Sequence, residues 1–177
     1  MPGPTKEAFA AFRALLALDA DGRLTLEGTR TVVIPAAVLA NIEESGRRIL
    51  GQGWAGILYL AGEQNGREIT FLVRQRLGPD ARPEAVLRLI ADRTEMRGLG
   101  RVDASGLDVG TGRGAITMDG SPLAEAPARE AARCYLSAGL WGGVVSVLAG
   151  REVTARETAC RAAGAQRCVF AIEPVGG

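Results

Sequence analysis

The residues best equipped for chemistry gather near the C-terminus. Cys160 and Cys168 stand symmetrically about Gly164, Glu157 lies three residues before Cys160, and Cys134 is further upstream. These are all of the chain's cysteines. The flanks read as strands: Glu152-Val153-Thr154 leads in, and Val169-Phe170-Ala171-Ile172 leads out towards Pro174. With Gly164 in the turn of a hairpin, the thiols of Cys160 and Cys168 become cross-strand neighbours about 5 Å apart. Cys160, Cys168, Phe170 and Ile172 then share one inward face.

Thiols placed this way have three readings. They can be inert core residues, since free cysteine is among the most buried residue types. They can form a disulfide, which wants an oxidising compartment; no signal-peptide pattern opens the chain, and pairing two of three cysteines leaves one over. They can hold a soft metal such as zinc, which takes about four ligands from thiolate, imidazole or carboxylate. The chain has no histidine, so Cys134, Glu157, Cys160 and Cys168 would supply three sulfurs and one oxygen. The metal reading makes one geometric demand. Glu157 and Cys160 are an odd number of residues apart, so a regular strand puts them on opposite faces. A bulge or twist at the strand's start must re-aim Glu157; otherwise water or a bound molecule is the fourth ligand.

The run Glu157-Thr158-Ala159-Cys160, then Gly164, then Cys168-Val169-Phe170, resembles the signature that closes the 4-vinyl reductase domain. That family includes bacteriochlorophyll J proteins, archaeal hydrocarbon-binding proteins and the sensor modules of phenol- and xylene-responsive activators. The resemblance is firm over 115–174 and extends more weakly over 28–75. It implies a zinc site at Cys134, Glu157, Cys160 and Cys168, with a zinc-binding signature over 121–174. It also implies a fold shared with vesicle-tethering TRAPP subunits, and a homodimer.

The elements that must carry these residues follow from pattern. At 177 residues the chain is expected to form a single domain over 1–177 with a real core. A helix is expected over 5–18, with Phe9, Phe12, Leu15 and Leu16 on one face. Two short strands flank Glu27-Gly28, the stronger at Thr31-Val32-Val33-Ile34. Pro35 opens a second helix whose Val38, Leu39, Ile42, Ile49 and Leu50 are expected in the core. A third runs from Trp54 into the mid-70s, and its Tyr59, Gly62 and Gly66 resemble a helix of the same family. A fourth spans 83–96. Arg101-Val102-Asp103 and Ala115-Ile116-Thr117-Met118 read as a strand pair, with the Gly110–114 run as a turn, since it lacks the ending of a phosphate loop. A last helix is expected from 121 to about 148, carrying Cys134, Gly139, Trp141 and Gly143. Mid-helix glycines mark close approach, either to another helix or to a bound ring. The sum is α+β: helices packed on a small antiparallel sheet, with a TRAPP-like, 4-vinyl reductase domain architecture.

Charge is balanced at +1, which suggests no electrostatic attraction to nucleic acid. The longest apolar stretch, 138–150, falls short of the ~20 residues a membrane span needs. A cytoplasmic protein is expected. Without histidine, Ser-His-Asp and Cys-His catalysis are excluded, and no catalytic residue is assigned. A zinc with four protein ligands is structural, so function is expected in a cavity. The site expected is an apolar pocket between the helices of Trp54 and Trp141 and the sheet, with Tyr59, Gly139 and Gly143 contributing. The resemblance implies a hydrophobic or tetrapyrrole ligand, with a carrier or accessory role beside pigment enzymes in bacteriochlorophyll biosynthesis. Three alternatives stand beside it: a 4-vinyl chlorophyllide reductase, which would need a nicotinamide or flavin donor; a ligand-free dimeric scaffold; and an aromatic-compound sensor.

Overall fold

A computed structural model describes residues 5–124 and 134–176. Helix α1 (Lys6–Arg13) is capped by the Thr5 hydroxyl, which accepts from the Ala8 amide at 3.2 Å. It is shorter than the sequence suggests, because Leu16–Leu18 forms strand β1 and pairs with β2 (Leu24–Leu26). Leu15 and Leu16 fit either period, and the turn decides. Asp19 Oδ1 accepts from the amides of Asp21 and Arg23 at 3.0 and 2.8 Å, an Asx turn that folds the two strands together. Strand β3 (Thr29–Arg30) follows a two-residue turn in which Glu27 and Gly28 have φ of 52° and 78°. Positive φ at both central residues is the hairpin turn that matches strand twist. Val32 and Val33 are not in a strand: among the described residues no partner strand lies beside them, and both are exposed.

Three long helices come next: α2 (Ala36–Leu50), α3 (Gly53–Leu77) and α4 (Pro83–Met96). The apolar stripe of α2 is a second difference. Val38, Ile42, Ile49 and Leu50 are exposed rather than in the core, because no described element covers that face. Helix α4 is amphipathic as expected, with Val86, Leu87 and Ile90 buried.

The main sheet is antiparallel. Strands β4 (Arg101–Asp103), β6 (Arg113–Asp119), β8 (Cys168–Pro174) and β7 (Val153–Ala159) lie in that order, and β5 (Leu107–Asp108) also pairs with β6. Val102 sits opposite Met118, and Met118 opposite Cys168. After β6 a short 3-10 turn (Pro122–Ala124) takes the place of the expected helix start. Residues 125–133 of that expectation lie outside the described residues, and α5 (Tyr135–Ala149) begins just after Cys134.

Helices α3 and α5 run in the same direction and touch backbone to backbone. A Cβ on Gly62 or Gly66 would lie 2.1 Å from the carbonyl oxygen of Leu136 or Leu140. One on Gly139 or Gly143 would lie 1.9 or 2.1 Å from that of Tyr59 or Glu63. Four glycines, two per helix at spacing four, therefore make one seam, of the small-residue kind that lets helix axes approach closely. The core lies between α5 and the sheet, where Trp141, Val144, Val145, Ile116, Phe170 and Ile172 are fully buried.

Candidate metal centre and apolar cavity

The hairpin expected around Gly164 is present. Ala159 pairs with Val169 where β7 meets β8, which sets Cys160 and Cys168 at the two ends of the connecting loop. The loop is a 3-10 turn (Arg161–Ala163) closed by Gly164 at φ 94°, a conformation that favours glycine. Cys168, Phe170 and Ile172 share the buried face of β8.

The odd spacing of Glu157 and Cys160 is resolved as chemistry requires. The register of β7 against β8 shifts between Glu157 and Ala159. Val153, Ala155 and Glu157 all turn inward, and the shift brings Cys160 inward as well. The bulge thus places on one side two ligands that a regular strand would separate.

Cys134 is at the N-cap of α5 rather than inside a helix, with φ −81° and ψ 46°. Its Sγ lies 3.7 Å from Cys168 Sγ, and its backbone N–H donates to Glu157 Oε2 at 2.9 Å. One donor atom from each of Cys134, Glu157, Cys160 and Cys168 lies within 4.8 Å of all the others. All three thiols are free and buried. The group could therefore hold a metal ion. A tetrahedron with zinc–sulfur bonds of about 2.3 Å has edges of about 3.8 Å, close to the separation observed. Thiols in simple contact also approach this closely; what sets the cluster apart is a carboxylate brought into the same dry space. Burial raises the pKa of Glu157. That of Cys134 is raised by hydrogen bonding to Cys160 and Cys168 and by burial. For Cys168, a hydrogen bond from Cys134 pulls the value down, but Cys160 and burial outweigh it, and the thiol is pushed up to about 12. A divalent cation would reverse this, because a coordinating thiol is held as thiolate. The Arg161 amide already donates to the Cys168 sulfur, the sort of support that metal-bound thiolates receive.

The expected ligand pocket lies elsewhere. Trp141 is fully buried, its indole N–H directed at Met118 Sδ, 3.1 Å away. Gly139 and Gly143 have the α3 backbone against them, which leaves no room for a ring. Tyr59 ties α3 to the sheet, its hydroxyl accepting from the Ala155 amide at 3.1 Å. Trp54 ties α3 to α2: its indole N–H donates to buried Glu43 at 3.2 Å, and its ring fills the space beside Gly46. These five residues build the scaffold, and none lines the cavity that the structure does contain.

That cavity, about 590 Å³, lies one layer away. Leu39, Leu99, Met118, Leu136 and Leu140 give it an apolar wall, and Asn65, Thr94, Ser121 and Ser137 add a few polar groups. Size and lining are those of a small-molecule site. Nothing in the sequence singles these residues out, because they come from five separate stretches of chain. The cavity adjoins the thiol cluster. Ser121 Oγ is 4.0 Å from Cys134 Sγ, Met118 pairs with Cys168, and Leu136 and Ser137 follow directly from Cys134.

Comparisons with known proteins agree with this geometry. The family profile of the vinyl-4-reductase domain matches residues 115–174, a span that contains all four clustered residues. No curated protein sequence matches the chain. Among solved structures, the phenol-responsive sensory domain of the transcription activator PoxR, determined with phenol, superposes with a TM-score of 0.81. The two share 17% identity over 98% of this chain and 92% of that one. A vinyl-4-reductase family protein from Methanocaldococcus jannaschii gives a TM-score of 0.56 at 16% identity, over 82% and 84% of the two chains. A trafficking protein particle complex subunit 3 from Naegleria fowleri, covalently bound to palmitic acid, gives 0.56 at 12% identity, over 78% and 94%. At these identities the likeness is one of fold. The chain carries a vinyl-4-reductase domain over residues 115–174, with its candidate metal centre wholly inside it.

Proposed function

We propose that this protein is a receptor module for an apolar or aromatic small molecule, with a structural zinc ion locking one wall of its cavity. The observation that carries this reading is the shared wall. Ser121, Met118 and the start of α5 face the cavity on one side and the thiol cluster on the other. Cys134, Glu157, Cys160 and Cys168 would hold the ion, which when bound supplies a closed four-ligand centre rather than a reactive one. It would fasten the start of α5 to the β7–β8 hairpin and so fix where Leu136, Ser137 and Leu140 stand.

A cavity of about 590 Å³ suits a ligand of one or two rings. The PoxR sensory domain, of like fold, was determined with phenol, which supports an aromatic ligand. Asn65, Thr94, Ser121 and Ser137 offer hydrogen bonds to one polar substituent. The narrower reading, a tetrapyrrole carrier in bacteriochlorophyll biosynthesis, draws support from the family match and needs a larger, flatter space than this cavity provides. The exposed apolar face of α2 is consistent with a homodimer.

Titration calorimetry with phenol, naphthalene and a chlorophyllide separates these readings. Saturable 1:1 binding of a small aromatic, abolished by Ala61→Trp at the cavity wall, is expected. Binding of the chlorophyllide alone would shift the assignment to a pigment carrier. Binding of none of the three would contradict a ligand-receptor role.

A further inference from the structure

A second cavity, about 540 Å³, lies beside the first and shares Val32, Leu39, Leu99 and Pro122 with it. Its wall is formed by α1, the N-terminal sheet and the end of α4, with Phe9, Phe12, Leu16, Leu26 and Met96 facing in. Two of its lining residues are cationic, Arg13 and Arg97, and none is acidic. Among the described residues, neither arginine has a carboxylate within ion-pair distance.

The neighbourhood explains why. The nearest acid is Glu27, and its carboxylate is already held by Arg93 and by Arg76, the latter at 2.6 Å. Arg93 also stacks over the Phe12 ring, 5.9 Å from its centroid. Three arginines, Arg76, Arg93 and Arg97, therefore share one carboxylate, and Arg97 is left over at the cavity wall. Desolvation and the neighbouring Arg93 charge lower its pKa, as expected for a cation short of a counter-charge. The end of α4 favours a cation through the helix dipole, but it supplies no bidentate partner.

From this arrangement we infer that the second cavity binds an apolar molecule ending in a carboxylate, the tail lying against Phe9, Phe12 and Leu26 and the carboxylate taken by Arg97, with Arg13 adding charge. A planar guanidinium matches a carboxylate with two parallel hydrogen bonds, which neither an alcohol nor an alkane can reproduce. The site is distinct from that of the aromatic ligand and depends on neither it nor the metal.

Titration of the full chain with decanoate and, separately, with decan-1-ol provides the test. Decanoate is expected to bind at least ten-fold more tightly. Arg97→Gln should remove that preference and leave decanol binding unchanged, Arg97→Lys should keep part of it, and Arg101→Gln, outside the cavity, should change nothing. Equal affinity for acid and alcohol, an unaltered preference in Arg97→Gln, or no binding of either probe would each overturn the assignment. Phenol titration of Arg97→Gln keeps the two sites apart: phenol binding should be untouched, whatever becomes of decanoate.

Discussion

The backbone N–H of Cys134 donates to Glu157 Oε2 at 2.9 Å, so two of the four clustered residues are tied to each other directly. The bond spans the start of α5 and the bulge of β7. It poses a sharp question: is Glu157 a metal ligand, or a cap for the helix start? Glu157→Gln answers it. The amide oxygen can still accept from Cys134, but the negative charge is gone. Zinc affinity, measured by competition with a chromophoric chelator, is expected to fall by about ten-fold or more while the fold is retained. Unchanged affinity would reduce Glu157 to the cap alone.

The glycine seam gives a stability prediction with a built-in control. Gly143→Ala puts a methyl group 2.1 Å from the Glu63 carbonyl oxygen, and two helix backbones must part to admit it. Overpacking of this kind costs roughly 1–3 kcal/mol, and backbone on both sides places this case at the upper end. Gly56, also in α3, has nothing within 4 Å of a built Cβ. There the gain in helix propensity should dominate, and Gly56→Ala is expected to stabilise by roughly 0.5–1 kcal/mol. Urea unfolding of the two variants should move in opposite directions.

Glu27 makes the N-terminal sheet sensitive to acid. Burial acts to raise its pKa, but hydrogen bonds and charge from Arg93 and Arg76 outweigh it, and the net shift is downward. A lowered folded-state value means that the carboxylate stabilises the fold above the ordinary glutamate value of about 4.3. That contribution fades as pH falls below it and through the folded-state value. Thermal unfolding between pH 7 and pH 3 is expected to show a steeper acid loss in the native protein than in Glu27→Gln. Parallel curves would mean that the two arginines do little for Glu27.

How much of this was legible beforehand depended on whether a signal was local. The thiol cluster could be read because Cys160, Gly164 and Cys168 fix a hairpin by spacing, and because an odd separation from Glu157 demanded the bulge now seen between Glu157 and Ala159. Helix α4 could be read from its amphipathic period. Residues 15–18 could not: alternating and helical patterns coincide there, and the Asx turn at Asp19 settles the matter. The β-branched run at Thr31 to Ile34 has strand propensity but no neighbour to pair with among the described residues. Gly139 and Gly143 announced a close approach without saying to what, and the answer is the backbone of α3. The cavity was invisible because Leu39, Asn65, Leu99, Ser121 and Leu140 meet only once the chain has folded.

The metal clasp is tested most directly by zinc content and thermal unfolding of protein purified under reducing conditions without chelator, with Cys168→Ser alongside. One zinc per chain is expected in the native protein and none in the variant, whose stability should fall by several kcal/mol because structural metal binding contributes directly to folding. Metal-free native protein, or a variant that melts at the native temperature, would contradict the clasp.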